Sequence, residues 1–246
     1  MLSAALGLED ARLISLCGAG GKTTLMFALA REFVARGERV LVTTTTRIAR
    51  AEAAGAERGE RAAMLLFSGV TADGRKLTGI APALVDALGR SGEFDRILVE
   101  ADGSARRPLK AAAPHEPVIP STTDALIAVA GLNGLGLALL EANVLRAEIW
   151  AQLSGTRLGS PVTAESIARM ALLPGGFFKG SPAGARRILF LNRADTPERL
   201  EAAGQIVEIF ESSRDRPPGR VTLGCLLPDP RIAGGARILA ASSGHS

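Results

Sequence analysis

The heptapeptide Gly18-Ala19-Gly20-Gly21-Lys22-Thr23-Thr24 stands between two patterned segments. Before it runs the apolar stretch Leu13-Ile14-Ser15-Leu16-Cys17. After it, from Lys22 to Arg36, Leu25, Met26, Leu29 and Phe33 recur at helical spacing, and Gly37 closes the helix. A buried strand that turns through glycines into a helix has a specific use. Glycine admits positive φ and close approach to the backbone, so successive N–H groups can face an anion. The helix N-terminus adds its partial positive charge. Lys22 can then reach terminal phosphates, and the Thr23 hydroxyl can bind Mg²⁺. The standard form of such a loop has a glycine where this chain has Leu16, so the loop is a shortened variant. Residues Gly18, Ala19, Gly20, Gly21, Lys22, Thr23 and Thr24 are thus expected to cradle the phosphates of a nucleotide such as ATP or GTP.

Further apolar runs repeat the strand signal at Val40–Val42, Met64–Phe67, Arg96–Val99, Leu126–Ala130, Ile188–Leu191 and Val221–Cys225. Helices are expected over Pro82–Leu88, Ala147–Leu153, Ala164–Leu172 with Thr163 as N-cap, and about Pro197–Ser212. An Ala- and Glu-rich stretch after the second strand reads as helix and loop. Continuous apolar strands alternating with amphipathic helices predict an α/β fold, a mostly parallel sheet with helices on both faces. With 246 residues and no linker, a single domain over 1–246 is expected. The stretch from Asn133 to Gly184 interrupts the alternation and reads as a helical insertion, about 133–184.

In parallel sheets ligands bind beyond the carboxyl ends of the strands. The clusters just after each strand are therefore the candidate site. Thr43-Thr44-Thr45-Thr46 offers hydroxyls for a metal or a terminal phosphate, with Thr45 as metal ligand and Thr46 toward substrate; Thr is equally a strand and capping residue. Glu100 and Asp102, two residues apart, point to one side of an extended chain. Either can hold Mg²⁺ with Thr23 while the other acts as base, Asp102 being the first choice for the metal. Lys22, Glu100 and Asp102 form the expected catalytic set. Arg106, Arg107 and Lys110 add cations for anionic groups of a substrate, or form a solvated face. His115, in His-Glu-Pro, is the internal histidine and joins Arg107 and Lys110 as a candidate substrate contact. Asn192-Arg193-Ala194-Asp195 has the form that contacts a nucleotide base, with Arg193 where Lys is usual. Asp195-Thr196-Pro197-Glu198 reads equally as a helix capping box.

Composition narrows the classes. Aromatic residues are 4% with no Tyr, so no stacking platform for nucleic acid is expected. The net charge of +4 comes without a basic tract, leaving small anions as partners. Two distant cysteines form neither a disulfide framework nor a metal motif, and a reducing cytoplasm is expected. Cys17 is a packing residue or an acidified thiol. The charged N-terminus is unlike a signal peptide. The uncharged stretch Ala125–Leu140 is shorter than the roughly 20 residues of a membrane span, so no membrane association is expected. With one of the two histidines at the end (His245), a His-rich metal site is not expected.

Taken in order, Gly-Ala-Gly-Gly-Lys-Thr-Thr, Thr43–Thr46, Lys76-Leu77-Thr78-Gly79-Ile80, Val99-Glu100-Ala101-Asp102-Gly103-Ser104, Arg107-Pro108-Leu109-Lys110, His115-Glu116-Pro117-Val118-Ile119-Pro120 and Leu191-Asn192-Arg193-Ala194-Asp195 resemble the YqeC family. The resemblance spans nearly the whole chain, and the Glu-Ala-Asp-Gly to His-Glu-Pro block is its most specific part. It implies a P-loop NTPase fold and a nucleotide-dependent accessory role. That role is the maturation or cofactor loading of a molybdenum hydroxylase, selenium-dependent in the family's description. The residue chemistry leaves two other classes open. One is an ATP-dependent ligase or nucleotide-activating enzyme, the other a non-catalytic cofactor carrier. Arg47 and Arg193 stand where other basic or polar residues are common in the family, which leaves the choice of base open.

Overall fold

The computed structural model describes residues 1–49, 63–213, 220–225 and 237–241. The Ala- and Glu-rich stretch and His245 lie outside the described residues. The chain opens with a short helix α1 (Leu2–Leu6), strand β1 (Leu13–Gly18), helix α2 (Lys22–Ala35) and strand β2 (Val40–Thr44). Short strands β3 (Arg47–Ala49), β4 (Met64–Leu66), β5 (Gly69–Val70) and β6 (Lys76–Thr78) precede helix α3 (Pro82–Ser91) and strand β7 (Arg96–Glu100). Then come β8 (Leu109–Lys110), β9 (Ala125–Gly131), a 3₁₀ turn (Leu132–Gly134), β10 (Val144–Leu145), α4 (Ala147–Ser154) and α5 (Ala164–Leu172). The fold closes with β11 (Arg186–Asn192), α6 (Pro197–Ser212), β12 (Arg220–Cys225) and β13 (Arg237–Ala241).

Eight of the described strands form one sheet in the order β13-β12-β11-β9-β1-β7-β2-β4. Every ladder is parallel except that of β12 with β13. The expected mostly parallel α/β sheet is what forms, and strand alternation explains its two faces. Ile14 and Leu16 of β1, Leu98 of β7, Ile127 and Val129 of β9 and Phe190 of β11 pack against α1 and α2 through Leu6, Leu25, Leu29 and Phe33. The alternate residues Leu126, Ala128, Leu189 and Leu191 pack against α4, α5 and α6 through Trp150, Ile167, Met170 and Phe210. Leu13, Leu41, Ile97 and Val99 continue that second face under Val85 of α3. The helices of the 133–184 stretch therefore sit on the sheet itself, between β9 and β11.

Local chemistry sets the helix ends. The Thr163 side chain accepts a hydrogen bond from the Ser166 amide at the start of α5. Thr196 does the same for Arg199 ahead of Pro197 in α6. Two small sheets lie apart from the large one. β3, β6 and β5 pair antiparallel, and β8 pairs with β10. Ile80 N donates to Thr44 O, which ties the small antiparallel sheet to the end of β2. Among the described residues, no helix is long and apolar enough to cross a membrane.

Candidate functional site

β1 lies between β7 and β9 in the sheet, so the loop after it emerges among the ends of its neighbours. Gly18, Gly20 and Gly21 all have positive φ. At Gly20 the need for glycine is also steric: a Cβ there would lie 2.5 Å from Gly131 Cα and 2.6 Å from Pro108 O. The loop is anchored from three sides. Gly18 N donates to Asp102 Oδ2 at 3.2 Å, Ala19 N to Val129 O at 2.8 Å, and the Asn192 side-chain amide to Gly20 O at 2.7 Å. Beyond these anchors the amides of Gly20, Gly21, Lys22, Thr23 and Thr24 have no partner among the described residues. For Lys22, Thr23 and Thr24 this follows from their place in the first turn of α2. Five successive N–H groups are thus available to an anion at a helix start.

Lys22 is buried. Its Nζ donates to Gly18 O at 2.6 Å and lies 3.3 Å from Asp102 Oδ1 and 3.9 Å from Glu100 Oε1. Burial works against its charge, yet Asp102 and Glu100 outweigh that and hold the ammonium above its ordinary range. The two carboxylates have separate surroundings. Thr23 Oγ1 donates to Glu100 Oε2 at 2.7 Å. Asp102 is held by Lys110, whose Nζ is 2.8 Å from Oδ2, while Asp102 Oδ1 is buried without a hydrogen bond. The structure therefore sets Glu100, rather than Asp102, beside Thr23. Lys110 Nζ also donates to Glu116 Oε2 at 2.7 Å, and Arg146 meets the same oxygen at 2.9 Å. Burial disfavours the Glu116 charge, but Lys110 and Arg146 hold its carboxyl below the usual range. A chain of alternating charges, Lys22–Asp102–Lys110–Glu116–Arg146, so runs from the glycine loop to the opposite wall.

These elements surround a cleft of about 1630 Å³. Gly20 to Thr24, Thr45, Thr46, Glu100, Arg107, His115 and Asn192 line it. Gly18, Ala19, Asp102 and Lys110 lie beneath as supports. Asp195 does not line the cleft and pairs with Arg199, one turn into α6. Thr44 Oγ1 donates to Glu100 O at 2.7 Å and braces the end of β7, and Thr45 Oγ1 donates to Val118 O at 2.6 Å and braces the loop before β9. Cys17 is fully buried and its thiol is pushed up by burial, as suits a packing residue.

Thr23 Oγ1, the Glu100 carboxylate and the unbonded Asp102 Oδ1 are hard oxygens of the kind Mg²⁺ takes. Among the described residues, no cluster of three His, Cys, Asp or Glu could cage an ion unaided.

The profile of the YqeC protein family matches residues 14–148. This chain belongs to the YqeC family. A family relative in Escherichia coli (strain K12), described as "Uncharacterized protein YqeC", is 36% identical over 233 residues, covering 90% of each chain. The family match takes in the glycine loop, Glu100, Asp102, Lys110, Glu116 and Arg146.

Arg146 and Glu116 contribute to the site in ways the sequence reading does not assign. Glu116 lies in the His-Glu-Pro segment, whose rigidity is a usable signal. Arg146 sits in an unremarkable Ala- and Leu-rich stretch and gives no such signal.

Proposed function

We propose that this YqeC-family chain binds ATP or GTP with Mg²⁺ and hydrolyses the terminal phosphate. The observation that supports this is the joint arrangement of five unengaged amides, Lys22 and the Thr23–Glu100 pair at the start of α2. The amides of Gly20–Thr24 would hold phosphate oxygens. Lys22, turned from Gly18 O and its carboxylates, would face the terminal phosphates and offset charge developing there. Thr23 and Glu100 would hold Mg²⁺, which supplies charge neutralisation between the phosphates when bound. Asp102, fixed by Gly18 N and Lys110, would position the lysine. Asn192 would keep the loop open by restraining Gly20. The nucleotide-driven step would serve the maturation of a molybdenum hydroxylase, the role that family membership suggests.

A test follows melting temperature with ATP, GTP and CTP, with and without Mg²⁺. A ligand bound only by the folded chain stabilises it by RT ln(1 + [L]/Kd). A Mg²⁺-dependent rise that Lys22→Ala removes, with phosphate release in the wild type alone, is expected. No rise with any nucleotide would overturn the reading.

A further inference from the structure

The cleft holds more positive charge than a nucleotide explains. Arg47, Arg75, Lys76, Arg106, Arg107, Arg146 and Arg193 all line it, in addition to Lys22. They come from separate parts of the chain: the small antiparallel sheet, the loop before β8, the turn before α4 and the end of β11. Glu100 and Glu116 are the carboxylates on the lining, and each is already engaged by a cation or hydroxyl.

Away from the cleft, Arg36, Arg39, Arg96, Arg169, Arg186 and Arg199 form ion pairs, while Arg12, Arg31, Arg90, Arg157 and Arg187 form none among the described residues. Among the described residues, Arg47, Arg75, Arg106 and Arg193 on the cleft have no ion pair. Backbone geometry adds an independent observation. The non-glycine residues with positive φ among those described are Ala105, Arg106, Arg146 and Arg193, and all line this cleft. Such conformations are disfavoured for side chains with a Cβ and gather at ligand sites. Three of the four carry a guanidinium.

The volume agrees. At about 1630 Å³ the cleft exceeds the roughly 300–1,000 Å³ of a pocket for one small ligand. Among the described residues no Phe or Trp lines it, so the cleft offers no aromatic platform for the bases of a nucleic acid.

We infer that the cleft holds a second site, beside the glycine loop, for a phosphorylated small molecule bound by Arg106, Arg193 and the Arg75 turn. Guanidinium forks match phosphate oxygens two at a time, which suits these residues better than Lys would. The inference builds on the nucleotide reading, because it assigns the loop to one ligand and the cleft arginines without an ion pair to another.

The probe is inorganic pyrophosphate, titrated by calorimetry into protein saturated with Mg²⁺ and a non-hydrolysable ATP or GTP analogue. One further equivalent of pyrophosphate is expected to bind. Arg106→Asn with Arg75→Gln should weaken that binding at least tenfold and change analogue affinity less than threefold. Asn tolerates the left-handed backbone at 106, so the variant should fold; an unchanged melting temperature checks this. If it does not fold, Arg75→Gln alone gives the same comparison with a smaller effect. Pyrophosphate that binds only by displacing the analogue would overturn the second site and leave the nucleotide reading standing. If no analogue binds, the nucleotide reading fails by itself. Pyrophosphate is then titrated into Lys22→Ala: retained, arginine-dependent binding supports the second site and its loss overturns it.

Discussion

Lys22 Nζ and Asp102 Oδ1 lie 3.3 Å apart, and neither side chain is more than 2% exposed. The lysine at the head of α2 is thus held by carboxylates, with its charge fully kept. A phosphate would have to draw it from a partner of equal sign. That exchange makes binding sensitive to this one ammonium. Lys22→Ala is expected to lower nucleotide affinity about 100-fold, the loss of one or two charge-assisted hydrogen bonds. Calorimetric titration with Mg²⁺–nucleotide measures it.

Lys110 serves two carboxylates with one buried charge; without it Asp102 keeps only Lys22 and Glu116 only Arg146. Lys110→Met should destabilise the fold by about 3 kcal/mol, within the range for breaking a buried ion pair. Urea unfolding should show this as a lower midpoint.

Acid should weaken the fold through carboxyls whose ionised form the native state prefers. Burial opposes the Asp86 charge, but hydrogen bonds from Thr122 and Ser121 outweigh it, and its carboxyl titrates below the usual range. Glu116 behaves likewise through Lys110 and Arg146. A depressed pKa gives stability that is present above the unfolded value, near 4 for both groups. It is lost as pH falls through the folded value. Melting temperature should therefore drop below about pH 4, and Asp86→Asn should flatten that dependence.

Thr163→Ala removes the hydroxyl that caps α5 and should cost about 1 kcal/mol. Trp150 of α4 is fully buried and its indole N–H donates to Ser166 in α5. Its fluorescence should report the loss as an earlier unfolding transition with an unchanged native spectrum.

The large sheet was legible because its central strands are continuous apolar runs and its helices carry local end signals. Thr163 and the Thr196-Pro197 pair gave α5 and α6 their starts. The capping reading of Asp195–Glu198 needed adjustment by one residue: Thr196 is the cap, and Asp195 turns to Arg199. The sheet of β3, β5 and β6 was not legible. Its strands are two or three residues long, and exposed Val70 breaks any apolar period. Lys110 looks like one member of a surface cluster with Arg106 and Arg107. It is buried because β8 pairs with β10 and Asp102 and Glu116 await it there, a relation between segments that no local window contains.

The bond from the Asn192 side chain to Gly20 O joins residues 172 positions apart. During synthesis the glycine loop leaves the ribosome early, and its last restraint is made only after β11 has followed and docked beside β9. A nascent chain shorter than about 192 residues would carry the whole heptapeptide without the brace that sets its shape. The braced shape of that loop is then reached late in the life of the chain, timed by the translation of its second half.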